Sequence, residues 1–94
     1  MNINFIGHLK MKIKIRLFLD FKEIIGKKEL KLEIKREVTI RELIELLEKS
    51  YPKIKKVTKY PENYSILLNS TYSKLTANLK ENDVIDLFSV IDGG

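Results

Sequence analysis

Residues 30–50 read LKLEIKREVTIRELIELLEKS, and the spacing of their apolar residues changes partway along. The first part has an apolar residue at every second position, as in a half-buried β-strand: Leu30, Leu32 and Ile34. The second part has apolar residues at helical spacing, with charged residues on the other side: Ile40, Leu43, Ile44 and Leu47. The stretch therefore predicts a strand followed by an amphipathic helix.

Both ends of this helix carry sequence signals. Thr39 and Glu42 have the spacing of a capping box, in which each side chain accepts a hydrogen bond from the other residue's backbone N–H. Val38 is placed to pack on Leu43 across that box. Pro52 marks the other end, because the residue before a proline is pushed out of the helical region. We expect the helix to run between these two signals.

A second alternating run precedes this stretch. Its apolar residues again occupy every second position, with basic residues between them: Met11, Ile13, Ile15, Leu17 and Leu19. This run predicts a first strand that forms an antiparallel hairpin with the strand at residues 30–34. The connection contains residues 21–26 and a basic turn at Lys27-Lys28, so it is long for a hairpin.

Beyond the helix we predict three more strands: residues 64–69, a short segment near Tyr72, and residues 84–90. Residues 53–63 are rich in lysine and predict an exposed connection in which one irregular turn could form. Residues 79–83 predict a turn in which Asn82 takes a left-handed conformation.

This order of elements predicts an α+β fold, in which one main helix packs on one face of a mixed sheet of four to five strands. The helical crossover allows the first and last strands to lie side by side. That arrangement is the β-grasp, or ubiquitin-like, roll. We assign it to residues 11–94 as a single domain with a flexible Gly-Gly tail, and we assign residues 1–10 to an N-terminal extension without a defined role.

Composition narrows the class of function. The 94 residues include no cysteine, which excludes disulfides and thiol chemistry. No apolar run is long enough for a membrane span and no secretory signal is present, so we expect a cytoplasmic protein without a membrane partner. The net charge of +5 comes from 15 Lys and only three Arg. Because nucleic-acid readers rely on Arg, this balance disfavours nucleic acid as a partner.

Two features predict a functional site. The sequence ends at Gly93-Gly94, and a tail without side chains suits delivery of a carboxylate into another protein's active site, although a frayed end is the alternative. Phe18 and Phe88 fall among the polar positions of the first and last strands. If those strands are neighbours, both aromatic rings lie on the sheet face away from the helix, where Tyr72 could extend the patch and a partner could bind.

No other residues predict catalysis or metal binding. His8 is the only histidine, and the carboxylates of Asp83, Asp86 and Asp92 are not clustered as metal ligands. The chain has no nucleophile–base set and no glycine-rich phosphate loop. We therefore expect no bound metal or cofactor, and no catalysis by the chain alone.

Residues 11–94 resemble the MoaD/ThiS-type sulfur carrier proteins. Five stretches match in order: residues 21–26, 38–40, 66–69, 79–84 and 88–94. The length is closer to the molybdopterin synthase small subunit than to the shorter thiamine-pathway carrier. Two departures are Asn82, where members often have glycine, and Ser89-Val90, where many molybdopterin-type members have prolines.

The resemblance implies that Gly94 carries the reacting group. An ATP-dependent adenylating enzyme would activate its carboxylate, and sulfur would then replace AMP to form a thiocarboxylate. Gly93 would keep the tail thin enough for a narrow channel, and the apolar patch at Phe18, Tyr72 and Phe88 would bind the partner enzymes. The chain would be a co-substrate of the molybdopterin synthase large subunit, not itself an enzyme.

Two alternatives stay open. The chain could be a ubiquitin-like modifier that is joined through Gly94 to lysines of target proteins. It could also carry sulfur for thiamine synthesis or tRNA thiolation instead of for molybdopterin.

Overall fold

The computed structural model describes residues 10–90, so the predictions on residues 1–9 and 91–94, among them Gly93 and Gly94, lie outside the described residues. Within this range the strands are β1 (Lys10–Phe18), β2 (Glu29–Lys35), β3 (Tyr64–Leu68), β4 (Thr71–Tyr72) and β5 (Val84–Ser89). The α-helices are α1 (Asp20–Ile25), α2 (Ile40–Ser50) and α3 (Lys55–Thr58). Single 3₁₀ turns occur at Pro52–Ile54 and Pro61–Asn63.

The five strands form one mixed sheet in the order β2-β1-β5-β3-β4. β1 and β5 are parallel neighbours at its centre, and every other pair is antiparallel. The predicted α+β architecture is confirmed, and the fold is a β-grasp. The helical crossover makes the central parallel pair possible, because parallel strands cannot be joined by a tight hairpin.

The β1–β2 hairpin is confirmed, but β1 ends one residue earlier than its apolar pattern predicts. Leu19 is 43% exposed and has a positive φ of 57°, so it turns the chain out of the sheet instead of facing the core. The connection contains α1, whose Phe21 and Ile25 are buried. Gly26 ends α1 with a φ of 80° and donates its N–H to the Lys22 carbonyl at 2.8 Å, a conformation that glycine adopts without steric cost.

Helix α2 begins at the predicted capping box. The Thr39 hydroxyl accepts the Glu42 N–H at 3.2 Å, and Glu42 Oε1 accepts the Thr39 N–H at 3.0 Å. These bonds to Thr39 hold the pKa of Glu42 below its ordinary value. One side of α2 is buried against the sheet through four residues: Ile40, Leu43, Ile44 and Leu47. Burial of each such side chain contributes about 1.5–3 kcal/mol to stability.

Most residues of the segment 53–63 are exposed, as predicted, but the prediction of a connection with little regular structure and no buried residues is wrong. The segment forms α3 and the two 3₁₀ turns, with Ile54 fully buried and Val57 only 5% exposed. Thr58 is also buried, and its hydroxyl donates to Glu48 Oε2 on α2 at 2.5 Å. Ile54 and Val57 are two apolar residues at helical spacing among many lysines, and both belong to the hydrophobic core.

The turn that begins at Asn69 and the turn at residues 80–83 are held together by side-chain hydrogen bonds. Asn69 Nδ2 donates to Asp83 Oδ1 at 2.9 Å, and Asn69 Oδ1 accepts the Val84 N–H at 2.9 Å. The other Asp83 carboxylate oxygen accepts the Lys80 N–H at 2.7 Å. Asn82 has a φ of 67°, so the predicted left-handed conformation is confirmed. Its N–H donates to the Lys12 carbonyl at 2.7 Å, which fastens this turn to β1.

Replacement of Thr39 by alanine removes one half of the capping box. We expect Thr39→Ala to lower the free energy of unfolding by about 1 kcal/mol, since an N-cap hydroxyl satisfies a helix N–H that otherwise lacks a partner. Urea unfolding followed by circular dichroism measures the change. The exposed Thr76, changed to alanine, is the matched control with an expected change within about 0.5 kcal/mol. Equal effects of the two substitutions would contradict the role of the cap.

Candidate functional site

The sheet face away from α2 carries the predicted aromatic pair. Phe18 and Phe88 are directly opposite each other in the parallel β1–β5 register. Their rings are stacked, with centroids 4.3 Å apart and planes 8° from parallel. Both side chains are half-buried, so the stack covers part of the sheet and still presents apolar surface to solvent. The predicted placement of the two residues is confirmed.

An ion pair lies beside the stack, one step along the same two strands. Arg16 Nε donates to Asp86 Oδ1 at 2.5 Å and its Nη2 donates to Oδ2 at 2.7 Å. The Asp86 side chain is 5% exposed, whereas that of Arg16 is 45% exposed and lies over it. The hydrogen bond to Asp86 raises the pKa of Arg16 above its ordinary value. A bidentate pair of this kind fixes both side chains and gives the face a hydrophilic border beside the aromatic rings.

Tyr72 lies on the same face but does not adjoin the stack. It pairs with Leu67 of β3, and Leu67 pairs in turn with Asp86 of β5. Since opposite residues of neighbouring strands share a face, the row from Arg16 to Tyr72 crosses four strands. Leu67 is half-buried and Tyr72 is 80% exposed. Tyr72 is on β4, two strands away from β5. It therefore extends the apolar surface only through Leu67 on the strand between them.

The chain leaves the sheet at the end where the rings stack. Ser89, the last residue of β5, is buried, and its hydroxyl accepts the Asp20 N–H at the start of α1 at 2.8 Å. Val90 donates its N–H to the Asn63 carbonyl at 2.8 Å and is 51% exposed. These bonds hold the chain in place up to Val90, two residues beyond the Phe18–Phe88 stack.

Sequence reasoning missed three residues of this face. In the sequence alone, Arg16 is one of the basic residues of the first strand, Asp86 is a carboxylate outside any metal cluster, and nothing assigns Leu67 to a face. A usable signal existed for the ion pair: the register that places Phe18 opposite Phe88 also places Arg16 opposite Asp86, two residues earlier on both strands. Leu67 could not be found in this way, because its place depends on how β3 pairs with β5.

The other sequence candidates have structural roles or are not described. Asp83 accepts hydrogen bonds within its turn, and Asp86 pairs with Arg16. His8 and Asp92 lie outside the described residues. Across residues 10–90, no three His, Cys, Asp or Glu side chains are grouped closely enough to hold a metal ion. None of the helices in this range combines the length and apolar character that a bilayer crossing demands.

Residues 15–94 match the sequence profile of the ThiS family. No curated protein matches the chain significantly. Solved structures share the fold closely. A molybdopterin converting factor subunit 1, described as putative, from Pyrococcus furiosus is 25% identical with a TM-score of 0.75, over 86% of this chain and 99% of that one. Small archaeal modifier protein 1 from Methanosarcina acetivorans is also 25% identical, with a TM-score of 0.72, over 90% and 98% of the two chains.

A third similar structure contains two proteins. It is the complex of subunits 1 and 2 of the molybdopterin-converting factor from Helicobacter pylori, 25% identical to this chain with a TM-score of 0.56. The match covers 89% of this chain and the whole of that one.

The Arg16–Asp86 pair should be more sensitive to loss of one partner than to loss of both. We expect Arg16→Met to lower the thermal midpoint of unfolding, because it leaves a buried carboxylate without its cation. The double substitution Arg16→Met with Asp86→Leu should recover part of that loss. Differential scanning calorimetry measures the midpoints, and Lys14→Met on the same strand and face is the matched control. A double variant less stable than Arg16→Met would contradict this account.

Proposed function

Because this chain belongs to the ThiS family, we propose that it is a sulfur carrier whose cargo is attached to the carboxylate of Gly94. The observation that supports this most is the position of the aromatic stack. It lies on the strand that leads into the Gly-Gly tail, with the chain held in place up to Val90. In the proposed carrier, the docking surface thus lies on the strand that directly precedes the reactive tail in the sequence.

The distance between these two parts limits where a partner's active site can be. Gly94 is six positions beyond Phe88, and a fully extended chain of that length spans at most about 22 Å. An enzyme that binds the stack must therefore hold its active site within about that distance of Phe88. Gly93 has no side chain to obstruct a narrow channel, which is the role we propose for it.

We propose the chemistry of the tail as two substitutions. An oxygen of the Gly94 carboxylate attacks the α-phosphorus of ATP in an activating enzyme, and pyrophosphate leaves to give an acyl-adenylate. A reduced sulfur donor then attacks the acyl carbon, AMP leaves, and a thiocarboxylate remains. The adenylate is needed because a free carboxylate has no leaving group that a sulfur nucleophile can displace. ATP is bound by the activating enzyme, and the carrier itself binds no cofactor.

The recipient of the sulfur that we favour is a molybdopterin synthase large subunit. The Helicobacter pylori complex of subunits 1 and 2 supports this choice, since its small subunit has the fold of this chain. In that role the chain is a co-substrate of the synthase, located in the cytoplasm, and the partner subunit supplies the catalytic groups. Sulfur transfer for thiamine synthesis or tRNA thiolation would use the same carrier chemistry with another acceptor.

A ubiquitin-like modifier is the second candidate function. The likeness to small archaeal modifier protein 1 supports it, because a modifier needs the same fold and an activated carboxyl end. In this case a lysine amine of a target protein attacks the activated Gly94 carbonyl, and an isopeptide bond forms. The two functions differ only in the nucleophile that takes the acyl group.

The carrier hypothesis predicts a mass change at Gly94. Incubation with ATP, the activating enzyme and a sulfide source should shift the intact mass by the difference between sulfur and oxygen. Deletion of Gly94 should abolish the shift without changing the circular dichroism spectrum. A full-length chain that forms neither adenylate nor thiocarboxylate would contradict the carrier hypothesis. Peptides from cell digests that carry the tail on lysine would support the modifier function instead.

The stack should contribute strongly to docking. We expect Phe88→Ala to raise the dissociation constant for the activating enzyme about tenfold or more, as loss of a central aromatic anchor does in other interfaces. Isothermal titration calorimetry measures it. Leu46→Ala is the matched control, since Leu46 is 43% exposed but lies on α2, away from the stack. The docking role fails if both variants bind like the unmodified chain.

A further inference from the structure

The two edges of the sheet differ in a way that indicates a role for β2. Among residues 10–90, β2 pairs with β1 alone, so its other edge is open. The opposite edge strand, β4, is two residues long and offers little to pair with. β2 has seven residues, with no proline or glycine and an unbroken register against β1. An open edge of this length is a template for another strand, and proteins usually blunt it.

The backbone groups at the open edge belong to the charged residues of β2. The Leu17 N–H donates to the Lys28 carbonyl at 2.8 Å, which directs the backbone of residue 28 toward β1. Bonding direction alternates along an antiparallel strand, so residues 30, 32 and 34 also bond to β1. The N–H and carbonyl groups that face away from β1 are therefore those of Glu29, Lys31, Glu33 and Lys35.

The sequence of β2, ELKLEIK, is complementary to itself when it is reversed. If a second copy pairs antiparallel about Leu32, Glu29 lies opposite Lys35 of that copy, and Lys31 lies opposite its Glu33. The apolar positions then meet apolar positions, with Leu30 opposite Ile34. Cross-strand pairs of opposite charge stabilise a sheet, and like pairs destabilise it.

Among the antiparallel registers that pair five or more residues of β2, only this one has that property. A slip of two residues in one direction places Lys31 opposite the same lysine of the second copy, and a slip in the other direction does so for Glu33. A slip of one residue places charged side chains opposite apolar ones and exchanges the two faces of the sheet. The charge pattern of β2 therefore favours a single arrangement about one two-fold axis.

The lysines of β2 lack this complementarity within one chain. Lys31 lies opposite Lys14 of β1, and Lys35 lies opposite Lys10. Among the described residues, the only ion pair is that of Arg16 with Asp86. A second copy would place a carboxylate opposite each of the two lysines. Leu32, which is half-buried in one chain, would gain cover from its own counterpart.

We propose that this chain forms a symmetric homodimer through antiparallel pairing of β2 with β2, which joins the two sheets into one continuous sheet. The two-fold axis is perpendicular to the sheet, so both α2 helices lie on one face and both Phe18–Phe88 stacks lie on the other. The two β5 strands run in opposite directions, and the two tails leave from opposite ends of the joined sheet. The dimer thus leaves each docking surface and each tail free for its own partner.

The test uses the full-length chain and two charge reversals in β2. Sedimentation equilibrium from micromolar to millimolar protein should show a monomer–dimer equilibrium. K31E or E33K alone places like charges across the axis at two symmetric positions, which should raise the dimer dissociation constant about tenfold. The double variant K31E/E33K restores opposite charges and should dimerise like the original chain. An equimolar mixture of K31E and E33K should form the heterodimer for the same reason.

Two further variants keep the result interpretable. K31P removes an outward N–H without breaking a bond to β1, so it should abolish dimerisation while the circular dichroism spectrum is retained. Lys22→Glu on α1 makes the same charge change as K31E but away from the edge, and it should leave the dissociation constant unchanged. A chain that stays monomeric at every concentration overturns the proposal. A dimer that is indifferent to K31E, E33K and K31P overturns it as well, because its interface is then elsewhere.

Discussion

The parallel pairing of β1 with β5 is the interaction on which the rest of this structure depends. It joins residues about seventy positions apart in the chain, and it can form only because the helices carry the chain across the sheet. Its register sets Phe18 against Phe88 and Arg16 against Asp86. It also determines the end of the sheet at which the tail leaves. A slip of one residue would turn Asp86 and Phe88 toward α2 and would move Ile85 and Leu87, which are now fully buried, to the opposite face of the sheet.

Hydrogen bonds at both ends of the pair hold this register. At the start of β5, the Asp83 carbonyl accepts the Lys14 N–H at 3.0 Å, and Glu81 Oε2 accepts the Lys12 N–H at 2.9 Å. At the other end, Ser89 accepts the Asp20 N–H from the turn that follows β1. A long-range strand pair that is held at both ends resists fraying, so β5 is fixed in place up to its last residue.

Prediction from sequence succeeded where local patterns carry the information. The hairpin, the capped helix and the left-handed Asn82 follow from alternation, from a capping box and from turn chemistry. The shared face of Phe18 and Phe88 followed once the fold placed the first and last strands together. Prediction failed at residues 53–63, because Ile54 and Val57 are two apolar residues among lysines, and no local rule shows that a core surface lies next to them. The end of β1 was also misplaced, since Leu19 continues the apolar pattern but adopts a positive φ.

The sequence by itself determined the strands and the capped helix α2, because strand alternation, helix capping and turn preference are interactions among near neighbours in the chain. The Gly-Gly tail and the self-complementary charges of β2 can also be read directly from the sequence, because they depend only on the order of the residues. Only the tertiary structure decided which side chains meet across the sheet: the ion pair of Arg16 with Asp86 and the row from Leu67 to Tyr72. It also decided that, among residues 10–90, the outer edge of β2 has no partner strand. Those contacts depend on strand order and register, which are set by burial of the whole sheet face against α2 and not by any one segment.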